Sequence, residues 1–320
     1  MQYLRKIFLK YFYMSLVVIG TVAFDAIETP FGKTDKIVGG AATYASIAAS
    51  YFYDQTKIVA VVGDDFPEKD IKHFNSRGIS TEGLQIKKGE KSFFWSGKYH
   101  NDLNSRDTLV TELNVLADFD PIIPDSYQDC EFLMLGNLTP MVQQTVINRM
   151  TKRPKLIVMD TMNFWMDVAM DDLKNTLKMI DVLTINDAEA RQLSEEYSLV
   201  KAARKILAMG PKYLIIKKGE HGALLFHENK VFSAPALPLE EVFDPTGAGD
   251  TFAGGFIGYL AKTKDISFDN MKRAIIHGSA MASFCVEKFG VERIHDLNDD
   301  ELNGRLQDFI NLAQFEITLK

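Results

Sequence analysis

Asp244-Pro-Thr-Gly-Ala-Gly-Asp250-Thr-Phe-Ala-Gly-Gly255 is the stretch from which the rest of the chain is best understood. Gly247, Ala248 and Gly249 carry minimal side chains, and a helical pattern over 248–261 follows at once. The first amides of a helix have no partner within it, and the positive end of the helix dipole lies there. Such a start is an anion site suited to phosphate oxygens and to charge developing on a phosphoryl group in transfer. Asp250 falls in the first turn beside it, where a carboxylate can take the proton of an attacking hydroxyl. By spacing alone the same residues also read as a glycine-rich loop with a favourable first-turn acid. Rival phosphate motifs fail. No G-x-x-x-x-G-K-[ST] run exists, Phe252 stands where a dinucleotide fingerprint needs its last glycine, and no G-x-S-x-G elbow is present.

Upstream the chain alternates. Apolar, β-branched runs at 16–22, 57–62, 131–135, 155–159, 182–185 and 213–217 predict strands; 41–52, 67–77, 140–150, 188–193 and 199–209 predict helices. This alternation predicts a three-layer α/β/α fold around a mostly parallel sheet, with ligands at the carboxyl ends of its strands. The last third reads as helical at 248–261, 268–288 and 299–313. One stretch breaks the rhythm: 84–111 holds Phe93, Phe94, Trp95 and Tyr99 around a polar turn at 101–106, and predicts antiparallel strands. The expected organisation is one α/β domain over 14–320, a small β lid inserted at about 26–37 and 84–111, and an N-terminal extension, 1–13. That extension is basic and aromatic and imitates a signal peptide, but the run at 16–19 ends at Gly20 as a buried strand would.

A net charge of −7 argues against nucleic-acid or anionic-membrane binding. No apolar run reaches the length of a membrane span. Cys130 and Cys285 lie too far apart for a metal motif and read as reduced thiols, so the expected compartment is the cytoplasm.

Asp244–Gly255 closely resembles the C-terminal signature of the ribokinase-like (PfkB) carbohydrate kinases, and the resemblance runs from about Met14 to Ile294. It implies an ATP- and Mg2+-dependent kinase acting on a hydroxyl of a sugar or sugar-like alcohol, with Asp250 as base and Gly247, Ala248 and Gly249 as anion hole. A nucleoside is the alternative acceptor, and a non-catalytic sugar or nucleotide sensor a further one. Asp25, at the end of Gly20–Asp25, would hold substrate hydroxyls; Gly39-Gly40 would let the backbone approach them. Tyr44 stands where many members carry Asn. Asn137 and Arg106 are further candidate substrate neighbours.

On the nucleotide side the resemblance implies Asn186, Lys217, Gly219, Gly222 and Thr246, with His277 and Ala280 walling the adenine. Asn186-Asp-Ala-Glu189 matches an N-x-x-E motif linked to magnesium, Glu189 acting through water; the same four residues also spell a helix capping box. Asp244 and Glu287–Gly290 correspond to a loop that holds potassium in some members. An open strand edge in the lid invites pairing with a second copy, hence a homodimer.

Overall fold

The computed structural model describes residues 15–314 and 316; the expected extension, 1–13, lies outside them. The chain opens with β1 (Leu16–Ile19), β2 (Ala23–Thr29), β3 (Gly32–Lys33) and β4 (Ile37–Gly39), then α1 (Ala41–Ser50), β5 (Thr56–Gly63), α2 (Glu68–Ser76) and β6 (Ser80–Lys87). β7 (Phe94–Tyr99) and β8 (Arg106–Glu112) follow, then β9 (Phe132–Leu135), α3 (Pro140–Arg149), β10 (Leu156–Asp160), α4 (Asn163–Val168), α5 (Met170–Leu177), β11 (Val182–Asn186), α6 (Asp187–Ser194), α7 (Leu199–Leu207) and β12 (Tyr213–Lys217). β13 (Ala223–His227) and β14 (Lys230–Ala234) precede α8 (Ala248–Thr263), α9 (Phe268–Cys285), α10 (Glu292–His295) and α11 (Asp299–Ala313).

Nine strands form one sheet in the order β14-β13-β12-β11-β10-β9-β1-β5-β6. Seven of them, β12 through β6, pair in parallel; β13 and β14 add an antiparallel edge. β1 and β9, at the centre, are apolar at every position because both faces are covered. In β1, Leu16 and Val18 point into a core shared with α1, α8 and α9, whereas Val17 and Ile19 point into a core shared with α3, α5, α6 and α7. This is the three-layer α/β/α arrangement. The parallel register brings the carboxyl ends of β10, β11 and β12 together, and with them Asp160, Asn186 and Lys217.

A smaller sheet stands beside the large one: β3-β2-β7-β8, with β4 also pairing β2. Here the boundaries differ from expectation. The run at 16–22 is not one strand; β1 ends at Ile19, and Asp25 already belongs to the small sheet. Residues 84–87 belong to the large sheet, as part of β6 beside β5. β6 is an edge strand with one half-exposed face, so its polar alternation imitates an antiparallel lid strand. The β13–β14 hairpin was missed by periodicity, as were α4 and α5; the hairpin's two-residue turn, Glu228-Asn229, places Glu228 at φ 51.

α8 lies against α1 at backbone contact. A β-carbon at Gly254 would stand 2.2 Å from the Ala45 carbonyl oxygen. That closeness sets the start of α8 over the first turn of α1.

Candidate active site

Gly247 is the N-cap of α8, with φ 75 and ψ −1. This left-handed conformation favours glycine, and a β-carbon would also lie 2.4 Å from the Tyr44 ring. No side chain caps the helix. The Ala248 amide turns back to Pro245 O at 3.2 Å, and the first amide to close a helical turn is that of Thr251, on Gly247 O at 2.8 Å. The amides of Gly249 and Asp250 stand ahead of that ladder, so these two could receive an anion, with Ala248 committed to the turn.

Lys217, at the end of β12, reaches the same spot. Its Nζ lies 2.9 Å from where a β-carbon on Gly249 would stand. It pairs with Asp160 Oδ2 at 2.7 Å. Burial alone would lower its pKa, but Asp160 and Glu189 outweigh that and hold it above the usual lysine value. Burial pushes Asp250 up to about 7, and the neighbouring Asp160 adds to it, while Lys217 and Arg106 oppose. Glu189 is likewise pushed up to about 7, by burial and then by Asp160. Asn186 caps α6: its Oδ1 accepts from the Glu189 amide and Glu189 Oε2 accepts from the Asn186 amide, both at 2.8 Å. The capping box is therefore real, and it fixes Glu189 at the rim of this cluster.

The acceptor side is built by the small sheet. Strand pairing places Asp25 beside Trp95, Ile27 beside Gly97, Gly97 beside Thr108 and Tyr99 beside Arg106, so these side chains share one face. The indole of Trp95 lies across Gly97, where a β-carbon would meet it at 2.1 Å, and Nε1 donates to Thr108 Oγ1 at 3.3 Å. Asp25 is buried, and burial with the charges of Asp244 and Asp250 pushes it up to about 7; the Gly40 amide hydrogen-bonds to it. Gly39 fits against that carboxylate, since a β-carbon would fall 1.9 Å from Oδ2. Arg106 hydrogen-bonds to the Tyr99 hydroxyl, and Thr246 Oγ1 donates to the same oxygen at 3.2 Å. The lid thus carries a positive charge to the edge of Asp250.

Asp244 is buried and spent on backbone: Oδ1 accepts from Thr246 N at 2.8 Å and Oδ2 from Gly290 N at 2.9 Å. It ties the turn after α9 to the start of α8. Gly219 and Gly222 both take positive φ; a β-carbon at Gly222 would meet Ala234 O at 2.0 Å, and one at Gly219 would meet Asn104 Oδ1, at the lid tip, at 2.7 Å.

Several expected residues do not join the site. The His277 ring lies flat on Tyr259 at 3.9 Å and edge-on to Phe52, toward the far end of α8 from Asp250. Burial pushes it down to about 4, so it packs as a neutral ring. Ala280 is fully buried and Gly278 meets the Phe252 backbone, so these small residues serve the α8–α9 contact. Asn137 is occupied at both ends, donating to Met162 Sδ at 3.0 Å and accepting from Trp165 Nε1 at 2.8 Å. Tyr44 is 1% exposed, and its ring is the floor under Gly247 rather than an open platform. Asp160 is the functional candidate that sequence reasoning left without a role; its signal was an acid at the end of a buried strand.

Residues 14–296 match the pfkB family carbohydrate kinase model. A cytidine kinase of Thermococcus kodakarensis is 31% identical over 253 residues, 77% of this chain and 88% of the relative. Among solved structures, a nucleoside kinase of Burkholderia thailandensis in complex with inosine superposes with TM-score 0.73 at 17% identity, over 93% of this chain and 99% of that one. An E. coli protein of ribokinase II type in complex with ATP and Mg2+ superposes with TM-score 0.74 at 18% identity, over 94% and 100%. With seven parallel strands, an amide-lined helix start and a carboxylate in its first turn already in place, the chain belongs to the pfkB family of carbohydrate kinases.

Proposed function

We propose that the protein is an ATP-dependent nucleoside kinase, transferring the γ-phosphoryl group to a hydroxyl of the nucleoside's sugar. One observation carries the choice of acceptor: Trp95 and Asp25 sit side by side on the lid face that looks toward Asp250. An indole laid flat beside a buried carboxylate suits a ligand with a planar ring joined to a diol. The cytidine kinase relative and the inosine-bound neighbour support the same reading.

In this mechanism Asp25 orients the sugar by accepting from its hydroxyls. Asp250 takes the proton of the attacking hydroxyl. The Gly249 and Asp250 amides, with Lys217 and Arg106, offset the charge that grows on the transferring group. The lid excludes water, which would otherwise compete as acceptor. ATP supplies the phosphoryl group. The residues fit Mg2+ only in part. Among the described residues no group of three or more His, Cys, Asp or Glu is placed to hold a metal, which agrees with an ion kept by phosphate and water beside Glu189. When bound, it would neutralise phosphate charge. Each oxygen of Asp244 accepts one amide hydrogen bond and keeps a second lone pair with which it could meet a monovalent cation.

The test is ADP release measured across nucleosides, free pentoses, hexoses, sugar acids and inositols. A nucleoside should give the highest kcat/KM. Asp250→Asn should keep the fold and lose about 10²- to 10⁴-fold in kcat, the usual worth of a general base. A free sugar preferred over every nucleoside would replace this reading with a sugar kinase; near-normal turnover in the variant would remove Asp250 as base.

A further inference from the structure

We propose that Asp160 is a positioning residue: it holds the Lys217 ammonium over the amide start of α8 and keeps it from pairing with Asp250. The inference rests on the kinase reading above and assigns a role that this reading leaves open. Lys217 reaches the helix start and faces three carboxylates, those of Asp160, Glu189 and Asp250. Asp160 is the one hydrogen-bonded to it. Asp160 Oδ1 accepts from the Thr161 amide at 2.7 Å, and Oδ2 accepts from Lys217 Nζ at 2.7 Å and from Thr184 Oγ1 at 3.3 Å. The Asp160 carbonyl is held as well, by Gln143 Nε2 at 3.0 Å, and that amide also bridges to Gly136 O. The carboxylate is thus fixed from its own strand end and the neighbouring strand, and the Asp160 backbone from α3.

The consequence is chemical. A base paired to an ammonium is a poorer proton acceptor, because the ion pair stabilises its ionised form. A lysine free to swing would settle on Asp250, which faces it across Gly249, and would also sit where phosphate oxygens must enter. Asp160 supplies the competing anion at a fixed distance, so Asp250 stays uncommitted and the ammonium stays aimed at the helix start. Asp160 touches neither reacting atom in this scheme; it acts through Lys217.

The experiment is a double-mutant cycle of Asp160→Asn and Lys217→Met, reading kcat, the calorimetric affinity for MgATP without acceptor, and the thermal midpoint. Asp160→Asn alone should lower kcat by about 10- to 100-fold, a fraction of the full worth of the base. Its MgATP affinity should hold or tighten, since one negative charge near the phosphates has been removed. In the Lys217→Met background the same change should alter kcat less than about two-fold, and it should restore part of the thermal midpoint, because it removes a buried carboxylate that has lost its partner. Loss of MgATP affinity in step with kcat, or an equal kcat cost in both backgrounds, overturns the proposal. A parent protein that phosphorylates no acceptor overturns the kinase reading instead, and the two failures are told apart by that first measurement.

Discussion

Asp250 carries the sharpest expectation at the level of one residue. Its carboxyl is raised to about 7 by burial and by Asp160, and a base works only when ionised. The kcat/KM profile should therefore fall as pH drops through about 7, with the apparent value belonging to the coupled carboxylates rather than to Asp250 alone. Arg106 favours the ionised form. Arg106→Met should accordingly move this acidic limb to higher pH, and a limb that stays put would separate Arg106 from the base. The same shift bears on stability. A carboxyl whose folded value lies above its unfolded one adds stability that is fully present below about 4 and is lost as pH rises through about 7. Asp250→Asn should then melt above the parent protein at pH 8.5, with the gap closing by pH 5; differential scanning calorimetry at the two pH values reads it. A variant that melts lower at pH 8.5 would mean that Lys217 holds the ionised carboxylate more strongly than burial opposes it. Gly247, Gly249 and Asp250 were legible in the sequence because a run of small residues leads straight into a helical pattern, whereas Asp25 and Lys217 were singled out through the family resemblance. The positions of His277, Asn137 and Tyr44 were not legible. Their fates depend on Tyr259, Trp165 and Gly247, partners at least 18 residues away whose placement no local pattern encodes.

The start of α8 is positioned by the whole helix, so its geometry can be disturbed from a distance. Gly254 faces Ala45 at a spacing that leaves no room for a methyl group. Gly254→Val should push α8 from α1 and cost about 1–3 kcal/mol, as overpacking does, read by urea denaturation. It should also lower kcat, although Gly254 lies a turn beyond Asp250 and meets no ligand. Unchanged stability would show that α1 yields without strain. Legibility at this scale followed burial. The parallel strands other than β6 are largely apolar runs, and their boundaries fall within three residues of expectation. The exposed strands were harder. β2 follows β1 with only Gly20, Thr21 and Val22 between them, too little punctuation to reveal that the chain changes sheets. β6 and β14 have one open face, and an edge strand of a parallel sheet then spells the same alternation as a lid strand.

The two sheets differ in cover: the large one holds Asp160 and Lys217 on a buried frame, and the small one runs from the buried strand of Asp25 to the exposed strand of Arg106. Its outer strand, β8, is exposed at all seven positions and ends the sheet, so its free backbone groups point outward. Leu109, at a bulge of that strand, and Val110 are 55% and 41% exposed, and Leu113 follows at 51%. An uncovered edge with exposed apolar side chains is a template for strand pairing, opposed on β8 by the charges near its ends, Arg106, Asp107 and Glu112, and by the bulge at Leu109. A second copy docking there would complete the lid and stiffen the strand that delivers Arg106. The protein should therefore run as a dimer in light scattering, at twice its 36.1 kDa chain mass, and the Leu109→Lys, Val110→Lys double variant should run as a monomer. Because Arg106 would lose a supported strand while Asp250 and Lys217 keep theirs, the monomer should show a raised KM for the acceptor and little change in MgATP affinity. A monomeric parent protein would mean that β8 stands alone and that the lid owes its order to β7 and the Asn104 contact at Gly219.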